Sequence, residues 1–86
     1  MAWSIVWTDQ ALRDVSSLDT PVARRIVRKL ERAAVEPRRF FERLAGAGDY
    51  KLRIGDHRLI TALDHESRAV LVEHIDHRSR VYDRRR

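Results

Sequence analysis

The sequence predicts a small α+β domain in the order β-α-α-β-β-β, an antiparallel sheet with an N-terminal helical hairpin packed on one face. Three observations predict it. Residues 2–7 read as a strand with Trp3, Ile5 and Trp7 at alternate positions; two stretches then carry apolar residues at helical spacing behind start signals; three strand-like runs follow, separated by turn signals. At 86 residues the chain is expected to form one domain, 1–86. A chain of this length buries only roughly 60–65% of its unfolded surface, so the core is thin.

Trp3, Ile5 and Trp7 share one face of the first strand. Thr8-Asp9 supplies an N-cap and an acid in the first helical turn. Ala11, Leu12, Val15 and Leu18 then define a short helix. Asp19-Thr20-Pro21 starts a second, with Pro near the first helical position. Its apolar stripe is Val22, Ile26, Val27, Leu30, Ala33 and Ala34. Glu36-Pro37 closes it, because proline disfavours helical geometry in the residue before it. The short link between the helices predicts an antiparallel pair. Residues 38–48 read as a loop anchored by Phe40, Phe41 and Leu44. Strands are expected over 50–54, 57–63 and 68–75, joined by Gly55-Asp56 and by a turn at 64–67.

Lys plus Arg number 18 against 13 acids, giving a net charge of +5 and a pI near 10.7. That balance favours polyanionic partners, and arginine, the better fork for phosphate, supplies nearly all of it. The absence of cysteine excludes disulfides, thiolate nucleophiles and cysteine-ligated zinc, and suits a cytoplasmic protein. No signal peptide is evident, and no apolar run reaches the roughly 18–20 residues a membrane span needs. The serines sit in no nucleophile elbow, and Gly46 and Gly48 lack the Lys-Ser/Thr of a phosphate-binding loop.

Two patches hold the reactive side chains. A two-residue loop at Gly55-Asp56 pairs Ile54 with His57, Arg53 with Arg58, Leu52 with Leu59 and Lys51 with Ile60. Lys51, Arg53 and Arg58 then share a face, and like charges directly opposite one another are destabilising. Two structural readings compete with a phosphate-binding one. Arg58 could find an acid on its other side, where a compact turn at 64–67 would present Glu73, or all three cations are simply solvated. The second patch is His74-Ile75-Asp76-His77-Arg78-Ser79-Arg80-Val81-Tyr82-Asp83. Histidine moves protons near neutrality, arginine stabilises developing phosphoryl charge, and tyrosine donates a hydrogen bond or stacks on a base. Taken alone, His77 reads equally as an exposed strand-end residue and Tyr82 as a half-buried one. A metal site is not expected, because His74 and His77 do not converge from a strand. Arg24, Arg25, Arg28, Lys29 and Arg32 give the second helix a basic face, equally an ordinary solvated surface or an RNA contact.

The element order, the hairpin YKLRIGDHRLI and the ending V-x-H-I-x-H-R-x-x-V-Y together resemble the RelE branch of the RelE/ParE toxin superfamily, over essentially the whole chain. The resemblance implies a toxin of a type II toxin–antitoxin pair, an endoribonuclease that needs no metal or other cofactor and cuts mRNA in the ribosomal A site. Matched position by position, Lys51 and Arg53 fall on a basic pair of the second strand, which is often two lysines. Arg58 falls on the third-strand arginine, Arg78 on a late arginine whose role could pass to His77, and Tyr82 on the terminal tyrosine. Arg53 cannot readily give up a proton, so Lys51 alone of its pair is a base candidate. Base and acid are left open among Lys51, Tyr82, Arg78 and His77, since ordinary Lys and Tyr side chains hold their protons to about pH 10. The implied partners are a RelB-like antitoxin, the ribosome and mRNA. Operator DNA would be bound only through the antitoxin complex, and no membrane is involved. The alternatives are a ParE-like gyrase inhibitor, a catalytically inactive antitoxin-binding module and a basic nucleic-acid-binding module.

Overall fold

A computed structural model describes residues 2–45 and 48–77. The elements are β1 (Ser4–Trp7), α1 (Asp9–Ser16), α2 (Thr20–Ala33), α3 (Pro37–Phe40), β2 (Glu42–Arg43), β3 (Tyr50–Ile54), β4 (His57–Asp64) and β5 (Ala69–His77). They form a five-stranded sheet in the order β1-β5-β4-β3-β2.

The helices cover one face of this sheet. Ala11, Ile26, Leu30 and Ala33 meet Leu52, Ile54, Leu59, Val70, Val72 and Ile75 in one buried cluster, with Trp3, Ile5 and Trp7 packed against it as the alternation predicts. α1 rests mainly on β5 and α2 on β3. Between the helices runs a groove of about 530 Å³ lined by Val15, Leu18, Ala23 and Val27 among others. The sheet, more than helix–helix packing, therefore holds the pair in place.

Three expectations are corrected. The sheet is mostly rather than wholly antiparallel, because β1 runs parallel to β5, Ser4 opposite Ala69 through Trp7 opposite Val72. The helices between β1 and the remaining strands return the chain over one face, and such a crossover permits parallel pairing that a tight turn would forbid. The stretch 38–48 is not merely a loop. Pro37 opens α3, and Glu42–Arg43 adds a short edge strand antiparallel to β3. The anchor itself is real: Phe41 is buried and Phe40 packs on the core. Finally, α2 ends at Ala33, before Glu36-Pro37.

The β3–β4 hairpin has the expected register, Ile54 opposite His57 through Lys51 opposite Ile60. Gly55 takes φ 58° and Asp56 stays at negative φ, the pattern of a two-residue turn with glycine first.

β5 departs from simple alternation. Val70 and Val72 face the helices, opposite Leu63 and Thr61. Between Ile60/His74 and Thr61/Val72 the register shifts, leaving Glu73 as the extra residue of a β-bulge. Past the bulge the phase is reversed. Ile75 faces the helices opposite Leu59, and His74 and Asp76 face the open side. Thr8 explains how the bulge is held. Its hydroxyl accepts from the Ala11 N–H (3.1 Å), capping α1, and donates to the Glu73 carbonyl (2.7 Å). Its own N–H donates to the Val72 carbonyl (3.1 Å). β1 ends at Trp7, so the outer edge of β5 is open beyond Val72. There Asp14 Oδ2 accepts the Ile75 N–H at 2.9 Å. Two side chains of one helix start and turn thus replace the missing strand.

Candidate functional site

The open face of the sheet carries the charged cluster. Lys51, Ile60 and His74 lie side by side across β3, β4 and β5, with Glu42 of β2 next to Lys51. One step toward the hairpin turn, Arg53, Arg58 and Asp76 form the next row. Arg53 stands directly opposite Arg58, as expected. Arg53 is exposed, whereas Lys51 and Arg58 are half-buried.

The acid beside Arg58 is Asp76, not Glu73. Arg58 Nη2 lies 3.8 Å from Asp76 Oδ2, and His74 Nε2 lies 3.7 Å from the same oxygen. The turn before β5 is wider than the compact one expected, and the bulge adds a further residue, so Arg58 meets Asp76 instead. The Arg58 and Asp76 side chains are 36% and 24% exposed, so the pair is worth at most about 1 kcal/mol. Asp76 sits between Arg58 and His74 and holds neither at hydrogen-bonding distance. Arg53 and Lys51 have no ion pair among the described residues. A row with two guanidiniums and a single acid retains uncompensated positive charge, and half-burial strengthens its pull on an anion.

Farther from the turn, the same face becomes acidic. Glu73 sits beside Asp49, and its carboxyl is pushed above the usual range by burial first, then by the Asp49 charge. Beyond these acids the face is apolar, with Val6 exposed beside Leu71.

Of the residues singled out from the sequence, Lys51, Arg53 and Arg58 are brought together. His77 is not. It pairs with His57 on the helix side, its ring 4.5 Å from the His57 ring. Arg24, Arg25, Arg28, Lys29 and Arg32 line a shallow groove on α2, separated from the cationic row by the sheet. Arg78 and Tyr82 lie outside the described residues. Sequence reasoning missed His74 and Asp76 as members of the face. Their i, i+2 spacing marks them as neighbours on one side of a strand, but the bulge decides which side. The described residues hold no group of three or more side chains placed to bind a metal.

These features match known proteins. Among solved structures, the chain is similar to one from the RelBE2 toxin–antitoxin complex of Mycobacterium tuberculosis, with a TM-score of 0.80, 27% identity, and 92% and 94% of the two chains covered. It is similar to an arginine-substituted form of the Escherichia coli toxin RelE in the free state, with a TM-score of 0.77, 26% identity, and 96% and 93% covered. A chain of the archaeal RelE–RelB complex from Pyrococcus horikoshii shares the fold at 23% identity and a TM-score of 0.77, with 93% and 99% covered. The curated proteins contain no match. The sequence model of the ParE toxin of the type II toxin–antitoxin system parDE matches residues 5–82, nearly the whole chain. The chain therefore belongs to the ParE toxin family of type II toxin–antitoxin systems, within the RelE/ParE superfamily.

Proposed function

We propose that the protein is a RelE-type toxin that cleaves mRNA on the ribosome through the message's own 2′-OH, using the open face of the sheet. The observation that supports this reading most is the Arg53–Arg58 cross-strand pair, with Lys51 on the same face. Placing like charges opposite each other costs stability and makes sense where a phosphate supplies the missing counter-charge.

In this reading the 2′-oxygen attacks the adjacent phosphorus, the 5′-oxygen leaves, and a 2′,3′-cyclic phosphate remains. Arg53 and Arg58 hold the charge that accumulates on the phosphoryl oxygens. Arg58 exchanges the weak Asp76 contact for phosphate. Protons are moved by Lys51 and by Tyr82, with Arg78 beside the leaving oxygen; the last two are assigned by resemblance. His77 leaves this set because it faces the helices. His74 joins it, being an imidazole on the same face as Lys51, with the Asp76 carboxylate 3.7 Å away. The partner that silences the site is a RelB-like antitoxin, as the relatives' complexes with RelB suggest. Operator DNA is bound through that complex. The reaction takes place in the cytoplasm, where ribosomes are.

The test is translation with purified ribosomes and a defined message, followed by mapping of the cleaved ends. Cuts at the A-site codon are expected, lost on Arg58→Ala. The match to ParE favours a second reading, inhibition of DNA gyrase. Intact message at saturating toxin, together with gyrase-dependent DNA breaks, would establish that one instead.

A further inference from the structure

A second cluster of titratable groups lies across the sheet from the cationic row. The rings of His57 and His77 are 4.5 Å apart and tilted by 54°. Together with Arg25 of α2 they line a cavity of about 260 Å³, with Val22 and Ile26 on its apolar wall and Asp56 at the turn. The same Arg25 lines the groove on α2 with Arg24, Arg28, Lys29 and Arg32. The Gly55-Asp56 turn is also the end of the sheet nearest Arg53 and Arg58. Positive groups are thus continuous around the hairpin end, from the open face, through the cavity, onto the helix.

The cavity suits an anion better than a cation. Among the described residues it holds one permanent guanidinium and two rings that become cationic, against a single carboxylate. A metal would face Arg25, and the described residues form no metal-binding group of three. Two protonated imidazoles at this distance repel each other, and an oxyanion between them relieves that repulsion.

We propose that the Arg25–His57–His77 cavity is a phosphate subsite, taking one backbone phosphate of an RNA strand that passes from the Arg53–Arg58 row around the hairpin end to α2. The identity of the strand rests on the RNA-cleavage reading; the binding of an oxyanion does not. Occupancy is linked to proton uptake. Burial first, and the neighbouring His77 second, hold His57 below its ordinary 6.5, while Asp56 pulls it upward. An oxyanion favours the protonated ring, so affinity rises as pH falls. Among the described residues, the charged groups lining the cavity with the pair are Arg25 from α2 and Asp56 from the turn.

The test is a histidine proton-NMR titration of the full chain with and without sulfate, an anion whose charge is constant over the range. His65, in the far turn against Trp3, serves as the reference. Sulfate is expected to raise the His57 and His77 midpoints by about 0.5 or more in pH, and His65 hardly at all. Arg25→Ala should remove the effect, and Asp56→Asn should strengthen it. A short 2′-deoxy oligonucleotide, which cannot be cut by 2′-OH attack, should displace the sulfate. Unchanged midpoints, or an effect that survives Arg25→Ala, would overturn the subsite. Sulfate that the oligonucleotide fails to displace would overturn its assignment to a nucleic-acid strand. Either result leaves ribosomal message cleavage, measured separately, to stand or fall alone.

Discussion

Arg53 faces Arg58 across a two-residue hairpin, and the relief nearby is partial: Asp76 lies 3.8 Å from Arg58 and pairs with no other arginine among the described residues. Replacing Arg53 with Thr removes the repulsion and suits a strand, so the melting temperature should rise, by the equivalent of at most about 1 kcal/mol. A clear fall would mean that the pair is stabilised in a way the geometry does not show. Glu73 makes a complementary prediction. Its carboxyl titrates above the usual range beside Asp49, so its contribution to stability is full at low pH and declines as pH rises through its folded value. Glu73→Gln should raise the melting temperature at pH 7 and leave it unchanged near pH 4. Equal gains at both would show that charge is not the cause. His57 acts oppositely: held low in the fold, it costs stability as pH drops below about 6.5.

The bulge in β5 is the element on which the site depends. With strict alternation beyond Val72, His74 and Asp76 would face the helices, and Ile75 would be turned toward solvent. The register, hairpin turn and apolar faces of β3 and β4 were legible in the sequence, because period-2 alternation and Gly55 are local signals. The bulge was not, because what holds Glu73 in place is Thr8, 65 residues earlier. That single unseen residue explains why His74 rather than His77 is the imidazole on the face; together with a turn wider than the expected one it also explains why Asp76 rather than Glu73 meets Arg58. The edge strand β2 was missed for a similar reason, since two residues carry no periodicity. Thr8→Ala should cost about 1–2 kcal/mol in denaturant unfolding, by removing a cap and leaving the Glu73 carbonyl without its donor. Asp14→Ala, which strands the Ile75 N–H, should cost about 1–3 kcal/mol. Losses near zero for both would show that the bulge is set by the sheet alone.

Over the whole molecule, the sheet separates two basic surfaces that composition could not tell apart. One is the row on the open face, and the other is the α2 groove. The net charge of +5 pointed to a polyanion without saying which surface meets it. If the α2 face binds RNA phosphates, Arg28→Ala together with Arg32→Ala should lower the slope of log affinity against log salt by about 1–1.5 and leave the chemical step unchanged. An unaltered slope would make that face an ordinary solvated one. The central claim concerns the other surface, where Arg53 and Arg58 await a phosphate. It is tested most directly by cleavage of a ribosome-bound message whose residue at the cut site is either ribose or 2′-deoxyribose. The ribose message should be cut to a 2′,3′-cyclic phosphate and the deoxy message left whole, and Arg58→Ala should slow the cut by about 10²–10³ without unfolding the protein. Cutting of the deoxy message, or an undiminished rate for the folded Arg58→Ala variant, would contradict the account.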